Sequence, residues 1–218
     1  MLQQGLVSRN TALWASLACV VAAFGVGIIL QFGYHTGIWT IPLGIVGLAS
    51  GFFYSTQPVR WVTRGVGELW IAFCYGWLPI AVGFYLQTGY LMPLVTVMAI
   101  PVGLTCFDII MINEFPDYPA DIQVGKANLV VRLGRKRAAY LYGLTSGASW
   151  TIVLASVYYG VPLQCLLLYV LVFVLSVIVT VSAIRGRWHD QDTLEKLCAG
   201  TLLVNLGTTA AYLVTFIR

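Results

Sequence analysis

An apolar run and a polar run meet near the middle of the chain and indicate its fold class. Residues 91–112 read LMPLVTVMAIPVGLTCFDIIMI, and residues 113–137 continue as NEFPDYPADIQVGKANLVVRLGRKR. The first run is long enough to cross a hydrocarbon core as a helix, which takes about 20 apolar residues. The second run holds three of the eight acidic residues and five of the twelve Lys and Arg. Such a concentration beside a membrane segment indicates a place where a charged molecule is handled.

The composition excludes an ordinary soluble domain. The chain has 218 residues, of which 59% are hydrophobic and 9% are charged, whereas soluble domains carry about 25% charged residues. We therefore predict an integral membrane protein and interpret its net charge of +4 as a signal of orientation, with no nucleic-acid partner. Five cysteines lie within apolar segments and form no C-x-x-C pair, which argues against a zinc or disulfide framework.

Seven apolar segments have about the length of a membrane-spanning helix. They are residues 11–31, 38–54, 68–87, 91–112, 138–159, 162–184 and 197–217. The sequence predicts one all-α domain over residues 1–218, a polytopic transmembrane helix bundle, with a short cytoplasmic cap helix around residues 115–123. An odd number of spans places the two termini on opposite sides of the membrane.

The basic residues predict the orientation. With the N-terminus in the cytoplasm, all Lys and Arg lie on the cytoplasmic side except Arg218, as the positive-inside rule requires. The outer turns are then short and the polar loops lie inside, so the active site is expected at the cytoplasmic face. A transporter or channel would need polar groups at the bilayer midplane, which the helix centres largely lack.

Two carboxylates in the polar run have the spacing of a metal site. On a helix that starts near Pro116, Asp117 and Asp121 lie on one face, about one turn apart. Paired carboxylates repel each other unless a cation intervenes, and Mg²⁺ typically binds one or two carboxylates together with substrate phosphate oxygens. Asn113 would share this face only if the helix continued back through Pro116. The alternative is a solvated helix whose acids pair with the basic residues that follow.

The polar run resembles a known motif. The segment NEFPDYPAD, followed by Gly125-Lys126 and by LVVRLG at 129–134, resembles the second aspartate motif of the UbiA-type membrane prenyltransferases. It is most similar to the 1,4-dihydroxy-2-naphthoate branch, which serves menaquinone biosynthesis. Pro119 departs from the motif, which usually has a helix-favouring residue there.

The resemblance implies roles for five residues of this run. Asp117 and Asp121 would be the catalytic carboxylates and would hold Mg²⁺ on the diphosphate of an isoprenyl donor. Asn113, Lys126 and Arg132 would belong to the substrate-binding site, with Lys126 in contact with the diphosphate.

The preceding inner loop supports the resemblance. Its sequence, FFYSTQPVRWVTRGVGELW at 52–70, is similar to the family's loop of tyrosine, proline, basic residues and Gly-Glu. Arg60 and Arg64 would contact the diphosphate from the side opposite the metal, although each arginine would equally serve as a membrane-orienting charge. Tyr54 stands at the tyrosine of a Tyr-x-x-x-Lys motif that Pro58 interrupts. Glu68 opens the next helix, as a first-turn acid or, less strongly indicated, as a contact for the acceptor.

One element of the family pattern does not occur in this sequence. The family has a first aspartate motif, N-D-x-x-D, whereas no acidic residue precedes Glu68. The family fold has nine helices, and seven are predicted here. The resemblance therefore implies a chain that lacks the first two helices, and we expect little transferase activity from this chain alone.

The resemblance implies an activity, its partners and a location. The activity is Mg²⁺-dependent transfer of an isoprenyl chain from a prenyl diphosphate to an aromatic acceptor, with 1,4-dihydroxy-2-naphthoate favoured. The partners are these two substrates and membrane lipid, in a bacterial or archaeal plasma membrane. The main alternative is a catalytically inactive homologue that retains the fold.

A CDP-alcohol phosphotransferase would need a D-G-x-x-A-R motif, which is absent. His189 lies beside Asp190 and Asp192, as in some metal sites, but nothing fixes a ligand spacing, and a solvated turn is favoured.

Overall fold

The computed structural model describes residues 7–217, which form helices and turns without any strand. The all-α prediction is confirmed. The helices are α1 Arg9–Ile28, α2 Thr40–Ser55, α3 Gly67–Ala72, α4 Leu78–Thr88, α5 Pro93–Gln123, α6 Leu129–Leu133, α7 Arg135–Ala155, α8 Gln164–Ile184 and α9 Gln191–Phe216. A π-helical turn extends α1 to Gly33, and another, Phe73–Trp77, joins α3 to α4.

All seven predicted apolar segments are helical. Within the described residues, five helices are long and apolar enough to cross a membrane. These are Arg9–Gly33, Gly67–Thr88, Pro93–Gln123, Gln164–Ile184 and Gln191–Phe216. The other two segments correspond to α2, which has only 16 residues, and α7, which has 21 residues but carries many Gly, Ser and Thr residues. The chain is an integral membrane protein.

The predicted cap helix is not a separate element. Helix α5 runs without interruption for 31 residues, through Pro101, Pro116 and Pro119, so residues 115–123 are its last turns. A proline inside a helix removes a backbone hydrogen bond and costs about 3 kcal/mol. Burial offsets this cost here, since Phe115 is fully buried in the main core. Tertiary packing has overridden the helix-breaking signal of the prolines.

The described residues form two compact units. The first comprises the described residues up to Phe52 together with Val82–Leu91. In it, the hydroxyl of Tyr85 accepts the backbone N–H of Trp39 at 2.9 Å. The second comprises Phe53–Ala81 and the described residues from Met92 onward, and it contains every candidate site residue.

Helix α5 is the centre of the second unit. The C-terminal half of α5 contributes four residues to the main core, which also includes residues of α7, α8 and α9. The α5 residues are Phe107, Met111, Ile112 and Phe115. On another side, the π-helical turn before α4 approaches α5 so closely that a Cβ added at Gly76 would lie 2.2 Å from Gly103 Cα. Small residues permit such contact between membrane helices, and this packing fixes the position of the acidic end of α5.

A buried acid joins α5 to α7. Asp108 is 1% exposed, and its carboxylate accepts hydrogen bonds from the hydroxyl of Thr145 and, at 2.9 Å, from that of Ser146. An ionisable residue within a membrane helix is expected to be paired in this way. These partners could not be predicted from the sequence, because they lie 37 and 38 residues away from Asp108.

Candidate functional site at the polar end of α5

The continuous helix places three of the predicted site residues in one row. Asn113, Asp117 and Asp121 are four residues apart in turn, so they follow one face of α5. Asn113 and Asp117 are exposed, whereas Asp121 is buried. Asp117 makes no hydrogen bond or ion pair with any other described residue. Its carboxylate is therefore available to a ligand.

Asp121 is held by two donors from the segment that follows α5. Lys126 Nζ lies 2.9 Å from Asp121 Oδ2, and Asn128 Nδ2 donates to the same oxygen at 2.7 Å. The chain turns back towards Asp121 at Gly125, which adopts a left-handed φ of +67°. Because both donors contact Oδ2, Asp121 Oδ1 has no hydrogen bond from the described part of the chain.

Asn128 connects this contact to a helix start. It is fully buried, and its Oδ1 accepts the backbone N–H of Val131 at 2.8 Å, which caps α6. An N-cap side chain satisfies a backbone donor that the helix itself cannot. One side chain thus caps α6 and orients Asp121. An Asn just before an apolar run is the sequence signal of such a helix cap.

Glu68 contributes a second buried carboxylate. It is 2% exposed, and its Oε1 accepts the backbone N–H of Leu129 at 2.7 Å. Glu114 lies close enough for the two carboxyl groups to interact electrostatically, and the Oε2 atoms of both residues are buried with no donor in the described chain. Two neighbouring carboxylates repel each other unless a proton or a cation lies between them. Glu68 is therefore more than a first-turn acid.

The predicted basic residues of the two segments have different environments. Arg132 Nε donates to the carbonyl of Ala127 at 2.8 Å, and its side chain lies against Gly65, where an added Cβ would be 2.7 Å from Arg132 Cδ. Arg60 and Arg64 are exposed, and Arg64 donates to a carbonyl within its own loop. Neither forms an ion pair with a carboxylate of residues 7–217.

Tyr54 lies near the two glutamates, Glu68 and Glu114. Its side chain is half-buried, and it lies close enough to Glu68 and Glu114 to interact with them electrostatically. The family motif would place a lysine at position 58, where this chain has Pro58, and the charged side chains near Tyr54 are instead two glutamates. The structure therefore brings Tyr54 close to two acidic residues, Glu68 and Glu114.

The loop between α8 and α9 is built from local contacts. The ring of His189 stacks on that of Trp188 at 3.8 Å between centroids, and its Nδ1 contacts the carbonyl of Gly186. Asp190 caps α9 by accepting from the backbone N–H and the hydroxyl of Thr193, and these bonds hold the pKa of Asp190 below its usual range. These side chains already have local roles, as expected for a solvated turn.

The donor set at the end of α5 fits Mg²⁺ in one particular way. Asp117 is exposed, Asp121 retains one uncommitted oxygen, and the two residues are one turn apart. Mg²⁺ prefers such hard oxygen ligands and keeps waters or phosphate oxygens in its remaining positions. Among the described residues, no group of three His, Cys, Asp or Glu is placed to enclose a metal. Two carboxylates would therefore hold the ion only together with oxygens from a phosphate group or water.

Comparison with known proteins places this arrangement in context. The chain is 24% identical to a 1,4-dihydroxy-2-naphthoate octaprenyltransferase of Bacillus subtilis (strain 168) over 84% of its length and 58% of the relative's. It is 28% identical to a 2-carboxy-1,4-naphthoquinone phytyltransferase of Synechocystis sp. over 80% of its length and 56% of the relative's. A 1,4-dihydroxy-2-naphthoate octaprenyltransferase of Escherichia coli (strain K12) is 25% identical over 94% of the chain and 68% of the relative.

The chain therefore spans less than three-fifths of the length of the Bacillus and Synechocystis relatives. No solved structure matches it significantly. A family model does match, and it covers residues 1–210, which include the whole of α5 and its acidic end. This chain belongs to the UbiA prenyltransferase family.

Proposed function

We propose that this protein transfers an isoprenyl chain from its diphosphate to an aromatic acceptor, with Mg²⁺ bound at Asp117 and Asp121. The observation that carries the proposal is the state of these carboxylates. Asp117 is free of protein partners in the described chain, and Asp121 is fixed through one oxygen by Lys126 and Asn128. A pair prepared in this way, in a chain of this family, is suited to a metal–diphosphate complex.

The residues around the pair would bind and orient the donor. Lys126 uses one of its three N–H donors on Asp121, so the other two remain for diphosphate oxygens. Asn113 lies on the row of the acids, and Arg60, Arg64 and Arg132 would add guanidinium contacts. When bound, Mg²⁺ would neutralise the charge that develops on the leaving diphosphate.

The reaction would then follow from the loss of diphosphate. The bond between the allylic carbon and the diphosphate oxygen breaks, and the electron pair leaves with the diphosphate. The aromatic acceptor attacks the allylic cation and forms the new carbon–carbon bond, after which the ring carbon loses its proton. Preorganised cations that stabilise a leaving group supply much of the rate enhancement in such sites.

The acceptor class rests on similarity. Two of the relatives above are named for 1,4-dihydroxy-2-naphthoate, and we propose an acceptor of that aromatic type, for quinone biosynthesis. We propose that the acidic end of α5 lies at the cytoplasmic face of a bacterial or archaeal plasma membrane, and the distribution of Lys and Arg supports the cytoplasmic orientation. The isoprenyl tail would lie among the membrane helices.

The test is binding of Mg²⁺ and pyrophosphate to the purified chain, followed by prenyl transfer in membranes. We expect Mg²⁺ with pyrophosphate to raise the melting temperature of the wild-type chain, and this increase to be lost in Asp117→Asn. The matched control is Asp192→Asn, which removes an exposed acid from the first turn of α9.

The results of these two measurements distinguish an active transferase from a catalytically inactive homologue. An unchanged melting-temperature increase in Asp117→Asn would reject the metal role of this residue. Binding that depends on Asp117 but comes with no transfer of radiolabelled prenyl groups would favour the alternative of a catalytically inactive homologue.

A further inference from the structure

A groove of about 660 Å³ lies at the polar end of α5, beside the start of α7 and the turn before α9. Its lining includes Tyr118, Leu133 and Trp188, and it is completed by three consecutive cations at residues 135–137, Arg-Lys-Arg. We refer to it as the α7 groove. Its walls are thus apolar and aromatic, and its charge is positive.

Two buried donors at this groove lack acceptors. The guanidinium of Arg135 lies 4.9 Å from the ring centroid of Tyr118 and 5.6 Å from that of Trp188. Arg135 Nε and Trp188 Nε1 are buried, and neither has a hydrogen-bond partner in the described chain. Trp188 itself is only 9% exposed. A buried donor without an acceptor is costly, so both atoms favour an acceptor that comes from outside the protein.

The cations of the α7 groove also lack counter-charges. None of Arg135, Lys136 and Arg137 forms an ion pair with a carboxylate within residues 7–217. Gly134 precedes them at the start of α7, and glycine has no side chain that could cap the helix. The first backbone N–H groups of this 21-residue helix therefore have no side-chain acceptor at the N-cap. The unpaired cations and the uncapped helix start of the α7 groove therefore favour an anion.

We propose that the α7 groove binds the phosphate headgroup of an anionic phospholipid. The phosphate would accept from Arg135, Trp188 and the exposed charges of Lys136 and Arg137, and the glycerol region would cover the apolar wall. A free phosphate ion would leave that wall uncovered. Trp and Tyr side chains favour the level of the lipid headgroups, and basic clusters at the end of a membrane helix attract anionic lipids.

The α7 groove shares no lining residue with the carboxylate pair. Asp117 and Asp121 do not line it. The proposal is therefore independent of the proposed transferase activity, and its test needs no turnover.

The experiment measures the melting temperature of the full chain in neutral detergent as lipid is added. We expect phosphatidylglycerol to raise the melting temperature saturably and phosphatidylcholine to raise it less. Each basic residue near an anionic surface contributes roughly fivefold in affinity, so Lys136→Gln with Arg137→Gln should weaken phosphatidylglycerol binding by roughly 25-fold. This double variant retains Arg135 and its ring contacts, so it is expected to fold.

Two further variants define the site. The control is Arg185→Gln with Lys196→Gln, which removes one exposed charge at the end of α8 and another within α9 and should leave phosphatidylglycerol binding unchanged. Trp188→Phe keeps an aromatic ring against Phe115 but removes the indole donor, and it should weaken binding of phosphatidylglycerol more than that of phosphatidylcholine.

Three results would overturn the proposal. Equal stabilisation by phosphatidylglycerol and phosphatidylcholine would remove the role of charge. Equal loss of phosphatidylglycerol binding in the control variant would show a diffuse surface effect. Stabilisation by inorganic phosphate that matches phosphatidylglycerol would identify the α7 groove as an ion site and not a lipid site.

Discussion

The carboxylate of Glu68 accepts the backbone N–H of Leu129 at 2.7 Å, across 61 residues of sequence. Leu129 directly follows Asn128, whose amide donates to Asp121. The start of α3 therefore fixes the start of α6, and α6 fixes the orientation of Asp121. Glu68 is a positioning residue for the candidate metal site and reaches it through two hydrogen bonds and one peptide bond.

The first prediction concerns the role of Glu68. Glu68→Gln retains a carbonyl oxygen for Leu129 and gives an N–H donor to Glu114, so we expect near wild-type stability. Glu68→Ala leaves the Leu129 N–H without its acceptor and should lower the free energy of unfolding by about 1–3 kcal/mol. Thermal unfolding in detergent measures both changes. Equal melting temperatures for the two variants would contradict the hydrogen-bonding role.

A second prediction separates the two functions of Asn128. Asn128→Asp keeps the oxygen that caps α6 but replaces the donor to Asp121 with a second negative charge. Asn128→Ala loses both functions without adding a charge. If the contact with Asp121 matters most, the aspartate variant is less stable than the alanine variant, because buried like charges repel. If capping alone matters, the order is reversed, since loss of an N-cap costs about 1 kcal/mol. Melting temperatures of the two variants decide between these orders.

The third prediction tests the buried link between α5 and α7. Asp108→Asn still accepts from one hydroxyl group and is expected to cost little. Asp108→Val removes the acceptor of the buried Ser146 hydroxyl and should cost about 0.5–2 kcal/mol, the spread for polar contacts between membrane helices. Unfolding by a denaturing detergent compares the two variants. Wild-type stability of Asp108→Val would show that the bridge contributes nothing.

The fourth prediction tests the close approach of the π-helical turn to α5. Gly76→Ala places a methyl group 2.2 Å from Gly103 Cα, so the helices must separate and stability should fall by about 1–3 kcal/mol. Gly147→Ala is the matched control, because nothing lies within 4 Å of an added Cβ there and alanine favours a helix. A Gly76→Ala variant as stable as Gly147→Ala would show that the contact tolerates separation.

Much of this architecture could be predicted from the sequence, for reasons that are local. The length of each apolar run determines whether a helix can cross a membrane, and all seven predicted segments are helical. The spacing of Asp117 and Asp121 placed them on one helical face, since side-chain direction depends only on helical period. The prolines misled the prediction of a separate cap helix, because their local cost was outweighed by the burial of Phe115.

The surroundings of the acids were decided by tertiary structure alone. The hydrogen bond from Leu129 to Glu68, the donation from Asn128 to Asp121 and the packing of Arg132 against Gly65 depend on which helix ends meet. Composition and periodicity describe one segment at a time and do not specify the contacts between segments. Hydrogen bonds over such separations form only when packing has brought the helices together, so the sequence determined which residues carry the charges, and the fold determined which of them remain free to bind.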